Sequence, residues 1–161
     1  MDSNNKMNTL RKLIVVGSDH AGFKLKNVIK AYLEEKSILD ILDVGTFSEG
    51  SCDFPDYAER LCEEVIKDNE NKGILFCGSG IGVSIAANKI KGIRCALVHD
   101  YLTAKLAVEH TKCNVISIGE SIVGHLEAKN IVDSFLTHEF LAEEKYQRRI
   151  DKITKLEEKN C

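Results

Sequence analysis

Five short apolar runs recur along the chain without the polar alternation of a half-exposed sheet. They occupy residues 13–17, 38–44, 73–77, 93–98 and 115–118. Longer amphipathic stretches separate them. Over 23–35, Leu25, Val28, Ile29, Tyr32 and Leu33 repeat at helical spacing. Pro55 sits where proline favours a helix start, and Ala58, Leu61, Cys62, Val65 and Ile66 continue the period. Further helical stretches run over 101–110, 125–136 and 141–159. Strands that alternate with helices are joined by right-handed crossovers, which makes the sheet parallel and covers both its faces. Continuous apolar strands fit that double burial. The sequence therefore predicts an α/β fold: an αβα sandwich around a five-stranded parallel sheet, with an extended C-terminal helix.

Composition narrows the function classes. A chain of 161 residues with a single proline suits one domain and not a disordered polymer. A net charge of −3 argues against a general nucleic-acid or anionic-membrane surface. No segment approaches the roughly 18 apolar residues of a membrane span. Residues 1–12 read as a polar N-terminal extension without a signal-peptide core, and 13–161 as the single domain. The expectation is a cytoplasmic protein, where thiols stay reduced. Cys52, Cys62, Cys77, Cys95, Cys113 and Cys161 contain no C-x-x-C pair, so zinc and thioredoxin-type chemistry are unsupported. Cys62 and Cys95 read as core, whereas Cys52, Cys113 and Cys161 have no assigned role.

In an open parallel sheet, ligands bind beyond the C-terminal strand ends. The third run ends there in Cys77-Gly78-Ser79-Gly80-Ile81-Gly82. Its glycines let the backbone turn tightly and aim amides into one concavity at a helix start, which favours an anion. Cys77 stands at the edge, where those dipoles favour a thiolate. This gives a base beside an oxyanion hole; the plainer alternative is a tight turn after a buried cysteine. The first run ends in Gly17-Ser18-Asp19-His20-Ala21-Gly22. There Asp19 can accept sugar hydroxyls and His20 can contact phosphate or sugar, or the pair simply makes an Asx-type turn. Residues 17–24 miss the Walker pattern because Phe23 separates Gly22 from Lys24, and Val83 stands where a dinucleotide loop needs its third glycine. His110 and His99 are both eligible as a general acid/base, and position does not choose between them. Lys145, Arg149 and Lys152 lie at helical neighbour spacing beside Arg148. They can grip a phosphate, or form a solvated face with Glu143, Glu144 and Asp151. A stripe of Ile150, Ile153 and Leu156 can pack on another subunit.

Together these segments resemble type B ribose-5-phosphate isomerase, in the family that also holds the galactose-6-phosphate isomerase subunits. The resemblance is carried by the first-strand motif through Phe23, by Asp43-Val44-Gly45-Thr46 and by Asp53-Phe54-Pro55-Asp56-Tyr57-Ala58. It continues through the segment from Gly73 to Lys89 that holds the glycine loop, and through Gly92-Ile93-Arg94. It implies a Rossmann-like sandwich and interconversion of ribose 5-phosphate and ribulose 5-phosphate through a cis-enediolate, with no metal or organic cofactor. By the resemblance, Cys77 is the base, the amides of Gly78, Ser79, Gly80, Ile81 and Gly82 form the anion hole, and Ser79 orients the reacting oxygens. His110, and not His99, opens the sugar ring, while Asp19 and His20 meet the sugar and phosphate.

The pattern departs from the family at the phosphate end. Ser121 and Lys145 stand where arginines are usual, Thr111 replaces an asparagine, and Phe54 replaces a tyrosine; Arg149 is retained. Lysine lacks arginine's bidentate fork and serine supplies no charge. A six-carbon substrate such as allose 6-phosphate, or a non-catalytic sugar-phosphate-binding module, are therefore the competing expectations. The resemblance also implies a homodimer or tetramer, with the site at the subunit interface and the 141–159 helix reaching the partner.

Overall fold

The computed structural model describes residues 12–37 and 40–160. Most of the expected 1–12 extension, the first two residues of the 38–44 run, and Cys161 lie outside the described residues. The elements are β1 (Leu13–Ser18), one 3-10 turn (His20–Gly22), α1 (Phe23–Glu35), β2 (Asp40–Asp43), α2 (Phe54–Val65) and β3 (Lys72–Cys77). They continue as α3 (Ile81–Ala87), β4 (Cys95–Leu97), α4 (Tyr101–Glu109), β5 (Val115–Gly119), α5 (His125–Thr137) and α6 (Glu144–Lys159). The expected five-stranded parallel sheet is present, in the order β2-β1-β3-β5-β4.

The pleat sorts the apolar runs onto two faces. Ile14, Val16, Ile74, Phe76, Ile116 and Ile118 face one core with Leu25 and Ile29 of α1, Ala104 and Val108 of α4, and Ile131 and Phe135 of α5. Val15, Leu75, Cys77 and Val115 face the other, with Leu61 and Cys62 of α2 and Val83 and Ala87 of α3. Both faces are buried over the central strands, so positions 13–18, 73–77 and 115–119 are all apolar or small; that is why those runs do not alternate.

Strand order fixes where a ligand can enter. From β1 the chain moves outward to β2, and from β3 it moves to the opposite side of the sheet. Neighbouring connections diverge between β1 and β3, which opens a crevice above their C-terminal ends. Two side chains brace the rim of that crevice. Lys26 of α1 is fully buried; its Nζ donates to Asp43 Oδ1 and to the Thr46 carbonyl, each at 2.7 Å. The segment it holds is stitched to β1, with Ser18 N–H donating to Gly45 O and Thr46 N–H to Ser18 O, each at 2.7 Å. Glu120, just past β5, accepts the Leu25 N–H in the first turn of α1 at 2.8 Å.

At the opposite end of the strands from the crevice, α6 is anchored by its two buried residues, Tyr146 and Ile150. Gly92 N–H also donates to Glu157 at 2.8 Å. Of the stripe read from the sequence, Ile150 packs within this chain, while Ile153 and Leu156 stay 44% and 58% exposed.

Candidate active site

Cys77 is the last residue of β3, and its neighbour in register is Gly119, the last of β5. Its side chain is 5% exposed, and Sγ accepts the Gly80 N–H at 3.0 Å. Gly80 takes a φ of 77°, a left-handed value that suits glycine. A Cβ on Gly119 would lie 2.6 Å from the carbonyl carbon and oxygen of Ser79, so the loop lies directly on the end of β5. Ser79 Oγ accepts the Ile81 N–H at 3.2 Å. Among the described residues, no acceptor takes the N–H groups of Gly78, Ser79 or Gly82. Three amides on one loop are therefore open, next to a sulfur that already receives a fourth.

Asp19 follows β1, directly across the crevice. Its N–H donates to Phe76 O at 3.3 Å, and its Oδ1 accepts the Gly22 N–H at 3.0 Å. This is the Asx-type turn, and it engages only one carboxylate oxygen. His20 Nδ1 accepts the Cys52 N–H at 3.2 Å, which places the ring proton on Nε2 in the neutral form. Ser121 belongs to the same rim, since its N–H donates to Gly78 O at 3.0 Å.

The remaining candidates gather at the other end of the strands, where β4 and β5 begin. His110 ends α4, and the Thr111 carbonyl accepts from Arg94 Nε at 3.0 Å, immediately before β4 begins. Thr111 Oγ1 donates to Ala107 O at 2.7 Å. Tyr146 stacks on the His110 ring with centroids 4.5 Å apart and planes 12° apart. Lys145 Nζ and the Arg149 guanidinium lie 4.8 Å and 5.9 Å from the Tyr146 ring. Lys145 also pairs with Glu143 at 3.1 Å, which raises its pKa. The five residues of β5 separate this cluster from Cys77 by about 13 Å or more, at ~3.3 Å per strand residue. One chain therefore does not bring His110, Thr111, Lys145 or Arg149 to Cys77. His99 lies just past β4 on the exposed rim, its N–H donating to Thr103 Oγ1 at 3.2 Å. Thr103 also donates from its backbone to Asp100, which caps α4 and has its pKa lowered by that bond.

The other cysteines separate by burial. Desolvation pushes the Cys62 thiol up to about 12 and raises Cys95 and Cys113 as well. Sequence reasoning missed Tyr146 and Lys26. Tyr146 precedes the retained Arg149 by three positions, one helical turn, and that spacing was the available signal. Lys26 lies on the apolar face of α1, where a lone lysine is most simply read as an interruption.

A parallel α/β sheet with a cysteine and open amides at its switch point defines a small-metabolite enzyme of the sandwich class. The ribose/galactose isomerase family model matches residues 14–153. Ribose-5-phosphate isomerase B of Mycolicibacterium paratuberculosis (strain ATCC BAA-968 / K-10) is 41% identical, covering 89% of this chain and 91% of that protein. Ribose-5-phosphate isomerase B of Escherichia coli (strain K12) is 38% identical, covering 92% and 98%. The crystal structure of ribose-5-phosphate isomerase B from Mycoplasma genitalium with bound ribulose-5-phosphate superposes with a TM-score of 0.86 at 39% identity, covering 91% of this chain and 96% of that one. The chain belongs to the ribose/galactose isomerase family and is an isomerase-class enzyme. Among the described residues, no helix is long and apolar enough to cross a membrane.

Proposed function

We propose that this isomerase interconverts ribose 5-phosphate and ribulose 5-phosphate, with Cys77 as the base. The observation that carries the reading is the Cys77 sulfur at the β1/β3 switch point beside the open amides of Gly78, Ser79 and Gly82. Aldose and ketose differ by a proton moved between C1 and C2. Cys77 as thiolate removes the C2 proton, and the electron pair forms the C1–C2 double bond of a cis-enediolate. The charge that develops on oxygen meets preorganised N–H donors, each typically worth about 3–4 kcal/mol in such holes. Returning the proton to C1, with the hydroxyl proton passing from O2 to O1 so that C2 becomes the carbonyl, completes the ketose. Ser79 Oγ orients the reacting oxygens, and the free carboxylate oxygen of Asp19 and Nε2 of His20 take sugar hydroxyls and phosphate.

The furanose must open first, and His110 is the acid/base for that step. It is a strand length away from Cys77 in its own chain, so a second copy supplies it, together with Thr111, Lys145 and Arg149. The homodimer is therefore a requirement of the mechanism. The exposed apolar groups of Ile81 and Ile85 beside the glycine loop, and of Ile153 and Leu156 on α6, suit such an interface. A free Cys77 thiol fits a reducing, cytoplasmic setting.

A second reading rests on the phosphate end. Ser121 is uncharged and Lys145 is held by Glu143 at 3.1 Å, an arrangement that fits a six-carbon phosphate or a binding module without turnover. Purified protein, assayed on ribose 5-phosphate and allose 6-phosphate without added metal, decides. Turnover of the pentose is expected. Faster turnover of the hexose selects the alternative substrate, and binding by calorimetry without turnover of either selects the binding module.

A further inference from the structure

The stack between Tyr146 and His110 is unexplained by the fold alone. An imidazole that moves protons is commonly held through a hydrogen bond at one ring nitrogen, as His20 is by the Cys52 amide. Among the described residues, no group hydrogen-bonds either ring nitrogen of His110. Only its backbone N–H is engaged, by Leu106 O at 3.0 Å. Its ring is instead held flat against Tyr146, with centroids 4.5 Å apart and an interplanar angle of 12°. Tyr146 is itself fixed. It is 9% exposed, sits in the first turn of α6, and donates its N–H to Glu143 O at 3.0 Å.

We propose that Tyr146 is a positioning residue for His110: the stacked phenol ring sets the imidazole plane while leaving both ring nitrogens free for substrate. The proposal rests on the reading of His110 as the ring-opening acid/base. Ring opening moves a proton between the ring oxygen and the anomeric hydroxyl, so a histidine that serves it gains from having no nitrogen tied to protein. A stack supplies orientation without that cost, because the attraction acts on the ring face and not on its edge. Lys145 and Arg149 lie at 4.8 Å and 5.9 Å from the same phenol ring.

The test pairs nuclear magnetic resonance with kinetics. In the whole protein, the His110 ring protons should carry a ring-current shift that persists in Tyr146→Phe and disappears in Tyr146→Leu. Tyr146→Leu should lower kcat on ribose 5-phosphate about ten-fold with KM changed less than about threefold, since a misplaced proton-transfer group is felt in the chemical step. Tyr146→Phe should keep most of the rate. In a His110→Ala background, Tyr146→Leu should cost nothing further, because the phenol acts through the imidazole. An equal loss in that background overturns the proposal, as does normal kcat in Tyr146→Leu. Absence of the shift in the unmodified protein removes the stack itself. Normal turnover by His110→Ala is a separate result: it overturns the acid/base reading of His110 and the positioning role with it. Should Tyr146→Leu fail to fold, Tyr146→Met, which also lacks a flat ring, takes its place.

Discussion

The Gly80 amide points at the Cys77 sulfur across 3.0 Å, so the residue that ends β3 is hydrogen-bonded by the loop that follows it. A backbone donor aimed at sulfur is stronger when the sulfur is charged. Cys77→Ser keeps the shape but offers a far weaker base. Turnover should fall by at least about a thousand-fold while the thermal midpoint shifts by only a few degrees. Steady-state kinetics beside a melting curve checks both; near-normal turnover would refute the mechanism.

The close approach of β5 to the loop makes a second test. In Gly119→Ala the new methyl would meet the Ser79 carbonyl at 2.6 Å, so backbone has to move. Overpacking of this kind costs about 1–3 kcal/mol. The expected result is a folded protein with a lowered denaturation midpoint and a much larger loss of kcat, since the displaced atoms are those of the amide loop.

If a second chain supplies His110, two strongly impaired variants should rescue one another. Mixing Cys77→Ala with His110→Ala and allowing subunits to exchange should restore about a quarter of the wild-type rate, because half the dimers are mixed and each has one intact site. No recovery on demonstrated exchange would place both residues in one chain's site.

The Lys26–Asp43 pair is the most buried ion pair among the described residues, with side chains 0% and 7% exposed. Lys26→Met leaves Asp43, among the described residues, with only the more exposed Lys30, 3.4 Å away, as a cationic partner. Removing one partner of a buried pair typically costs about 3–5 kcal/mol. Urea unfolding should show that loss, and adding Asp43→Asn should recover part of it.

Alkaline stability follows from the buried thiols. Burial lifts Cys62 from its ordinary value of 9.0 to about 12. Between those values the unfolded chain loses the proton and the folded chain keeps it. The contribution is complete below pH 9 and is lost as pH rises toward 12, at up to about 1.4 kcal/mol per pH unit for one thiol. Cys62→Ala should flatten the fall in unfolding free energy over that window relative to the unmodified protein.

The sequence carried the architecture because double burial leaves a plain signature: runs such as Gly73 to Cys77 have no exposed face to mark with polar residues. Element ends were legible where chemistry marks them, as at Phe23 and Tyr101. The candidate site was legible wherever its residues sit next to strand ends, as Asp19 and Cys77 do. What was not legible is distance along the sheet. Nothing in the spacing of Cys77 and His110 says how far apart they stand: Cys77 ends β3 at the C-terminal end of the sheet, whereas α4 carries His110 back to the end where β5 begins. Lys26 escaped for a related reason: its partners, Asp43 and Thr46, come from another element.

The Glu120 carboxylate on the first turn of α1 has a consequence for anion traffic. In many nucleotide-binding sandwiches the first helix greets a phosphate with unpaired amides. Here the Leu25 amide is already taken by a side chain from β5's far end, 2.8 Å away. A phosphate arriving at that helix would meet a resident carboxylate. That amide is closed from inside the chain, and on the proposed mechanism the charged end of the substrate goes instead to the cationic side chains of a second copy's α6.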